Sequence, residues 1–434
     1  MPDSPGQHAA DPQPVIASPD ATLLDATATP SEPLVLSPLN EVHVAAGAGF
    51  TDFAGWQMPV RYSSDLAEHR AVRESAGIFD LSHMAEIRVQ GPEAAAFLDY
   101  ALAGRLSAIA IGQAKYSLLL TPDAGIVDDL VVYRRGDTDF LVVANAGNQY
   151  QALGALLERA ASFDTSVTDE SDDTALIAVQ GPKARAIVQA VPGIHFLTAP
   201  AGAPDDRLHP LDTLKYYWSV DAEYAGQPLF VARTGYTGED GFELYVPAAL
   251  ASALWRDLVI AGEPHGLVPA GLASRDTLRL EAGMPLYGHE LGLDTKPAQA
   301  GLGRVPNLAK GDFVGREALE RDAANDTAVP GRVLVGLVGE GKRAARADYE
   351  IFAPATSGAD AGADPGAAAA AADAAAPVGL VTSGVLSPTL GHPVAMAYVD
   401  PAFAAVGTEV AIDIRGKRLA FRVTTLPFYR RERD

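Results

Sequence analysis

The sequence predicts an α+β protein that closes with a small all-β domain, and three observations carry that reading. Strand-like apolar runs alternate with amphipathic helical segments through most of the 434 residues. A short segment returns: Val89-Gln90-Gly91-Pro92-Glu93-Ala94 is echoed as Val179-Gln180-Gly181-Pro182-Lys183-Ala184. Each copy reads as a strand end, a Gly-Pro punctuation and a helix start, so two related α+β halves are expected. After Gly331 the helical period disappears, and short strands separated by turns take its place.

Taken in order, residues 1–36 are rich in Pro, Ala, Ser, Thr and Asp and have little to bury, which predicts a disordered acidic tail. Order is expected from Ser37-Pro38-Leu39, followed by a helix-like stretch over 65–77. A helix follows Gly91-Pro92, with Pro92 in its first turn and Phe97, Leu98, Ala101 and Leu102 on one face. Further helices are expected on the stripes Tyr150/Leu153/Leu156/Leu157, Ile187/Val188/Val191 and Leu250/Leu254/Leu258. The final domain is expected to use strands near 332–338, 349–353, 378–382, 394–399, 409–414 and 418–424. Residues 354–377, with Gly-Ala-Asp-Pro-Gly and an alanine run, read as a disordered loop inserted between two of them.

Composition bounds the function. A hydrophobic fraction of 48% and a charged fraction of 20% describe an ordinary globular chain. A formal net charge of −22 repels nucleic acid and anionic membranes, so neither is expected as a partner. The absence of cysteine excludes disulfides, thiolate metal sites and thiol nucleophiles. The histidines show no H-E-x-x-H or comparable spacing, so no metal site is expected. No Lys or Arg precedes Arg61, which gives neither a secretory nor a mitochondrial leader, and no apolar run reaches the length of a membrane span. A cytoplasmic protein is predicted.

The chemistry-bearing residues lie in four segments. Asp128 and Asp129 sit side by side in the apolar run Gly125–Tyr133. Neighbours on a strand point to opposite faces, so one carboxylate should enter the interior or a cleft, where it finds donors or shifts its pKa upward. The alternative is an edge strand with one solvated aspartate and one bonded to a turn. Arg233–Tyr245 holds three glycines and then a strand in which Phe242 and Leu244 face the core while Glu243 and Tyr245 face away. That segment is a ligand-approaching loop or a plain hairpin with solvated acids. Gly271–Gly283 reads as a helix with Arg275 and Arg279 among leucines, held by ion pairs or aiming a guanidinium at a ligand. In Phe79-Asp80-Leu81-Ser82-His83-Met84 the adjacent Ser and His do not form a dyad, and His83 is expected to be structural.

Eight stretches, in order along residues 38–430, resemble the aminomethyltransferase family, the T protein of the glycine cleavage system: 51–59 (Thr-Asp-Phe-Ala-Gly-Trp-Gln-Met-Pro), 77–84, 125–133, 179–184, 234–243, 271–288, 311–319 and 382–391. The resemblance implies a three-domain cloverleaf around a central tetrahydrofolate site. Its expected parts are residues 37–88 with 170–290 as a discontinuous α+β folate-binding domain, 89–169 as a second α+β domain, 291–330 as a linker, and 331–434 as a β-barrel. The implied reaction moves the one-carbon unit of an aminomethyl group from the lipoyl arm of H protein to tetrahydrofolate, with release of ammonia. By the same resemblance Asp129 is the catalytic carboxylate and Asp128 points away. Glu243 binds the pterin and Arg275 the ligand. Met84, Tyr116, Asn145 and Tyr236 line the pocket, and Arg430 adds a contact. Many members carry Leu-Ser-Trp where this chain has Leu302-Gly303-Arg304, so an aromatic is replaced by arginine. Competing readings are a tetrahydrofolate-dependent demethylase of N- or S-methyl substrates and a non-enzymatic folate binder, whose relatives carry a signature cysteine that this chain lacks. A hydrolase finds no nucleophile and base at a recognised spacing.

Overall fold

The computed structural model describes residues 33–197, 208–324, 331–354 and 376–432. Most of the expected tail (1–32) and of the expected loop (355–375) lies outside the described residues. Val35–Leu36 corrects the tail boundary: this pair is a strand, parallel to Trp56–Arg61 with Val35 opposite Trp56, in a three-stranded sheet completed by Gly49–Phe53. Its residues are exposed, and its backbone pairing alone places it.

Two larger sheets carry the α+β part. The first has seven strands, in the order Ile194–Phe196, Ser219–Tyr224, Gln227–Ala232, Gly241–Pro247, Thr174–Gln180, Ala76–Asp80 and Leu267–Pro269. Its outer face is covered by the helices Ala184–Gln189 and Ala251–Gly262, through Ile187, Val188, Leu254 and Leu258. The second has five strands, in the order Ala114–Leu120, Ile126–Gly136, Asp139–Ala144, Ala85–Gln90 and Ser166–Asp169. The helices Ala94–Ala101 and Gln149–Ala160 cover it through Phe97, Leu98, Ala152 and Leu156. Since Ala85–Gln90 pairs with Asp139–Ala144, the expected boundary at 88/89 cuts a strand; the change of sheet falls between Asp80 and Ala85. The stripe expected on the helix Gln149–Ala160 is rotated, because Tyr150 and Leu157 are 80% and 49% exposed while Ala152 and Leu156 are buried.

The sequence echo has a backbone counterpart. Gly91 and Gly181 adopt φ of +139° and +133°, and a Cβ on either would collide with backbone, at Asp164 O and Ser75 O respectively. Only glycine fits both conformation and space, and each precedes a helix that starts three residues later.

The described part of the expected linker, residues 291–324, packs on the second sheet. Leu291, Ala300 and Phe313 bury against Leu118, Leu120 and Ile126 of the five-stranded sheet. The Lys310 ammonium beneath donates to the carbonyls of Asp99, Leu102 and Gly104. Residues from 333 onward form a closed antiparallel barrel in the order Val333–Gly339, Pro393–Val399, Gly379–Leu386, Glu350–Phe352, Glu409–Asp413 and Arg418–Thr424.

Barrel and first sheet are joined through Glu281, at the end of the helix Leu272–Glu281. Its carboxylate accepts from Ser387 Oγ at 2.5 Å, Thr389 Oγ1 at 2.8 Å and Arg73 Nη2 at 2.8 Å. Burial alone would raise its pKa, but His69, Ser387 and Arg73 outweigh burial and hold it at about 2. A folded pKa below the unfolded value stabilises above the ordinary glutamate range and ceases to do so as pH falls toward 2. Glu281→Gln is therefore expected to cost about 2–3 kcal/mol at pH 7. In urea unfolding the gap to wild type should narrow between pH 5 and pH 3; a gap independent of pH would contradict this linkage.

Candidate functional site

The two large sheets meet through the faces opposite the helix pairs that cover them, and Val72 of the helix Asp65–Glu74 and Leu278 of the helix Leu272–Glu281 pack into the same contact. Phe79, Leu176, Ala178, Phe230, Ala232 and Tyr245 of the first sheet pack with Ala114, Tyr133, Leu141 and Val143 of the second. Strand alternation decides which polar groups enter this inter-sheet space.

In Ile126–Gly136, Leu130 and Val132 enter the helix-covered core while Tyr133 joins the inter-sheet cluster, with Val131 packed against it. By the same alternation Asp128 falls on the core side and Asp129 on the inter-sheet side. Asp128 is fully buried and accepts from Asn145 N–H at 3.0 Å, Asn145 Nδ2 at 2.8 Å and Asn148 Nδ2 at 2.7 Å. Asp129 is half-buried and accepts from Tyr116 Oη at 3.0 Å and Asn145 Nδ2 at 2.9 Å. The edge-strand alternative does not hold, because this strand lies second in its sheet. The aspartates have room because the neighbouring strand stops at Ala144, one residue before Asn145 turns its amide onto both. Burial pushes both acids up, Asp129 to about 6 against the opposing bonds from Tyr116 and Asn145. Asp128 is carried to about 7 by burial and by the neighbouring charge of Asp129.

Glu243 comes from the other sheet. Its cross-strand neighbours, Ala178 and Ala232, are small and leave space above its carboxyl. Thr234 Oγ1 donates to Oε2 at 2.5 Å, and Tyr133 Oη donates to the same oxygen at 3.3 Å. Burial raises its pKa, opposed by Thr234 and by the charge of Arg275. Arg275 lies on the helix Leu272–Glu281, with its guanidinium 4.9 Å from the centroid of the Tyr236 ring. The Tyr236 hydroxyl donates to the carbonyl of Pro285. Met84 packs on the inter-sheet cluster. His83 is buried and held near pKa 4, first by burial and then by Arg275, so it is neutral at pH 7.

Tyr236 lies within electrostatic reach of both Asp129 and Arg275, Tyr116 of Asp129 and Tyr236, and Arg275 of Glu243; with Asn145 bonded to Asp129 and Met84 on the inter-sheet cluster, these groups share one neighbourhood. Arg430 is not drawn into it: it is exposed and makes none of the hydrogen bonds or ion pairs found among the described residues, whereas neighbouring Arg431 pairs with Asp240 at 3.4 Å. Arg304 is likewise exposed. Sequence reasoning passed over Tyr133, Thr234 and Asn148. Tyr133 carried a signal, lying four residues beyond Asp129 on the same strand face; Thr234 and Asn148 carried none.

The same architecture is found in known proteins. Residues 39–310 match the GCVT N-terminal domain model, and residues 332–430 match the glycine cleavage T-protein C-terminal barrel domain. The chain belongs to the glycine cleavage T-protein family. An aminomethyltransferase of Cutibacterium acnes is 57% identical over 91% of this chain and 98% of its own length. One from Streptomyces avermitilis is 51% identical over 91% of this chain and 97% of its own. The crystal structure of glycine cleavage system aminomethyltransferase T from Bartonella henselae superposes with a TM-score of 0.77 at 38% identity, covering 91% of this chain and 98% of that one. Family membership accounts for the two α+β sheets followed by a barrel.

Proposed function

We infer that the protein is a tetrahydrofolate-dependent aminomethyltransferase. It takes the one-carbon unit of an aminomethyl group from the lipoyl arm of H protein, releases ammonia and yields 5,10-methylenetetrahydrofolate. The observation that carries this reading is the carboxyl of Asp129, poised at about 6 on the inter-sheet face that Glu243 shares. The folate supplies the nucleophilic amines; the chain supplies positioning and a proton.

Glu243 offers an anionic oxygen pair suited to adjacent N–H donors on a pterin edge. Thr234 and Tyr133 fix its orientation. Tyr236, Met84 and Tyr116 form apolar and aromatic walls, and Arg275 adds a cation that counters the upward push of burial on the Glu243 carboxyl. Asp129, held by Tyr116 and Asn145, stabilises positive charge as ammonia departs and moves the proton that leaves with it. The exposed Arg430 suits the anionic end of a folate. The reading assigns no role to a metal and places the protein in the cytoplasm with its H-protein partner; among the described residues no helix is long and apolar enough to cross a membrane.

A coupled assay decides between this reading and the demethylase. Tetrahydrofolate and aminomethyl-loaded, lipoylated H protein should support methylenetetrahydrofolate formation, and unlipoylated H protein or a panel of N- and S-methyl substrates should not. Turnover on a methyl substrate without H protein would reverse the assignment.

A further inference from the structure

A second polar cavity lies on the far side of the wall behind Glu243. Three rings form that wall: Tyr133, Phe230 and Tyr245, with centroids 5.3 to 5.9 Å apart. Tyr245 Oη donates to Tyr133 Oη at 3.4 Å, and Tyr133 reaches Glu243 on the folate side. Beyond the wall is a cavity of about 180 Å³ bordered by Tyr245, Phe230, Glu86, Arg88, Arg135 and Glu170.

Two buried polar groups border this cavity without a partner. Glu86 is 1% exposed, and neither of its carboxyl oxygens has a hydrogen-bond partner among the described residues. Its neighbours Ala85 and Ile87 enter the helix-covered core, so Glu86 projects the other way, into the inter-sheet space. Arg135 spends Nη2 on Asp221 at 2.9 Å and stacks 4.6 Å from the Phe230 centroid, but its Nε is buried and unpartnered. The remaining charge is mostly acidic. Arg88 is neutralised by Asp139 and Glu170, while Asp173 also borders the cavity and Asp169 acts on Glu86 from the adjacent strand. A buried acceptor pair, aromatic faces and surplus negative charge favour a small cation with N–H donors over an anion.

We propose that this cavity is a second binding site, for a small primary ammonium ligand held by the Glu86 carboxylate, with Arg135 Nε–H open to any acceptor atom the ligand carries. In the empty cavity burial, followed by the charges of Asp169, Glu170 and Glu243, pushes the Glu86 carboxyl well above the usual carboxylate range and so favours its neutral form. The ammonium ion enters with its own charge, and the Glu86 proton passes to solvent; one proton is released for each ligand bound.

Calorimetric titration of the full chain with methylammonium chloride at constant ionic strength tests the site. A saturable one-site isotherm is expected, with heats that vary with buffer ionisation enthalpy as release of about one proton requires. Tetramethylammonium chloride, which keeps the charge and lacks N–H, should give no saturable heat. Glu86→Gln, which keeps the shape of the side chain and removes its ability to become an anion, should weaken binding at least about tenfold. Should that variant fail to fold, the two-ligand contrast and the proton count on wild type still decide. Equal binding by Glu86→Gln, equal binding of tetramethylammonium, no proton release or no saturable heat would each overturn the proposal.

Discussion

Asp129→Asn is expected to lower kcat by about 10² or more while the affinity for tetrahydrofolate changes little, the scale usual for a lost acid–base group. The substitution keeps the shape of the side chain and its contact with Tyr116, and removes only the charge and the proton site. The pH profile separates a chemical role from a packing role. Burial raises the Asp129 pKa to about 6, so in wild type the carboxylate that stabilises the cationic reacting centre is lost as pH falls through about 6, and kcat should fall with it. The Asn variant should be uniformly slow and lack that limb. Turnover near the wild-type level, or a variant that keeps the same acid limb, would remove Asp129 from the mechanism.

Asp128→Asn is the control. Its carboxylate accepts three N–H groups inside the helix-covered layer, so an amide there sets donor against donor. Its effect should appear in the melting temperature, on the scale of buried polar groups left unpaired. The two adjacent acids thus separate experimentally, one by rate and one by stability, although they share the amide of Asn145.

Alternation made that separation legible in the sequence. A period of two assigns Asp128 and Asp129 to opposite faces and places Glu243 opposite Phe242 and Leu244, before any tertiary contact is known. The barrel was legible for a similar reason: its strands are short, β-rich and separated by turns, so local signals suffice. Features set by distant partners were not legible. Val35–Leu36 is a strand only because Trp56 and Gln57 lie beside it. The helix Gln149–Ala160 turns Ala152 inward in place of Tyr150 because of what it packs on, which its own residues do not record. The 291–330 segment reads as a linker until Phe313 and Lys310 are seen against the second sheet. Thr234, nine residues before Glu243 in the chain, reaches its carboxyl only because the intervening loop folds back.

Glu243→Ala is expected to weaken tetrahydrofolate binding by about 10- to 100-fold, the value of one or two hydrogen bonds to a charged group, with the melting temperature close to wild type. The second half of that expectation follows from what surrounds the carboxyl. Its two donors are not orphaned by the substitution, since Tyr133 Oη and Thr234 Oγ1 lie 3.0 Å apart and can bond each other. Burial is the foremost influence on the Glu243 pKa and raises it, so the unliganded protein loses a strained acid rather than a stabilising ion pair. That is the pattern expected of a carboxyl held for a ligand, as the proposed function requires. Calorimetric titration with tetrahydrofolate reads the first effect and thermal unfolding the second. Unchanged affinity would refute the binding role, and a large drop in melting temperature would show that Glu243 serves packing instead. The contrast with Asp129 is the sharper test: one variant should change kcat with binding intact, and the other should raise KM while kcat at saturating folate stays within a few-fold. That split requires two carboxylates on facing sheets to address different ends of one ligand.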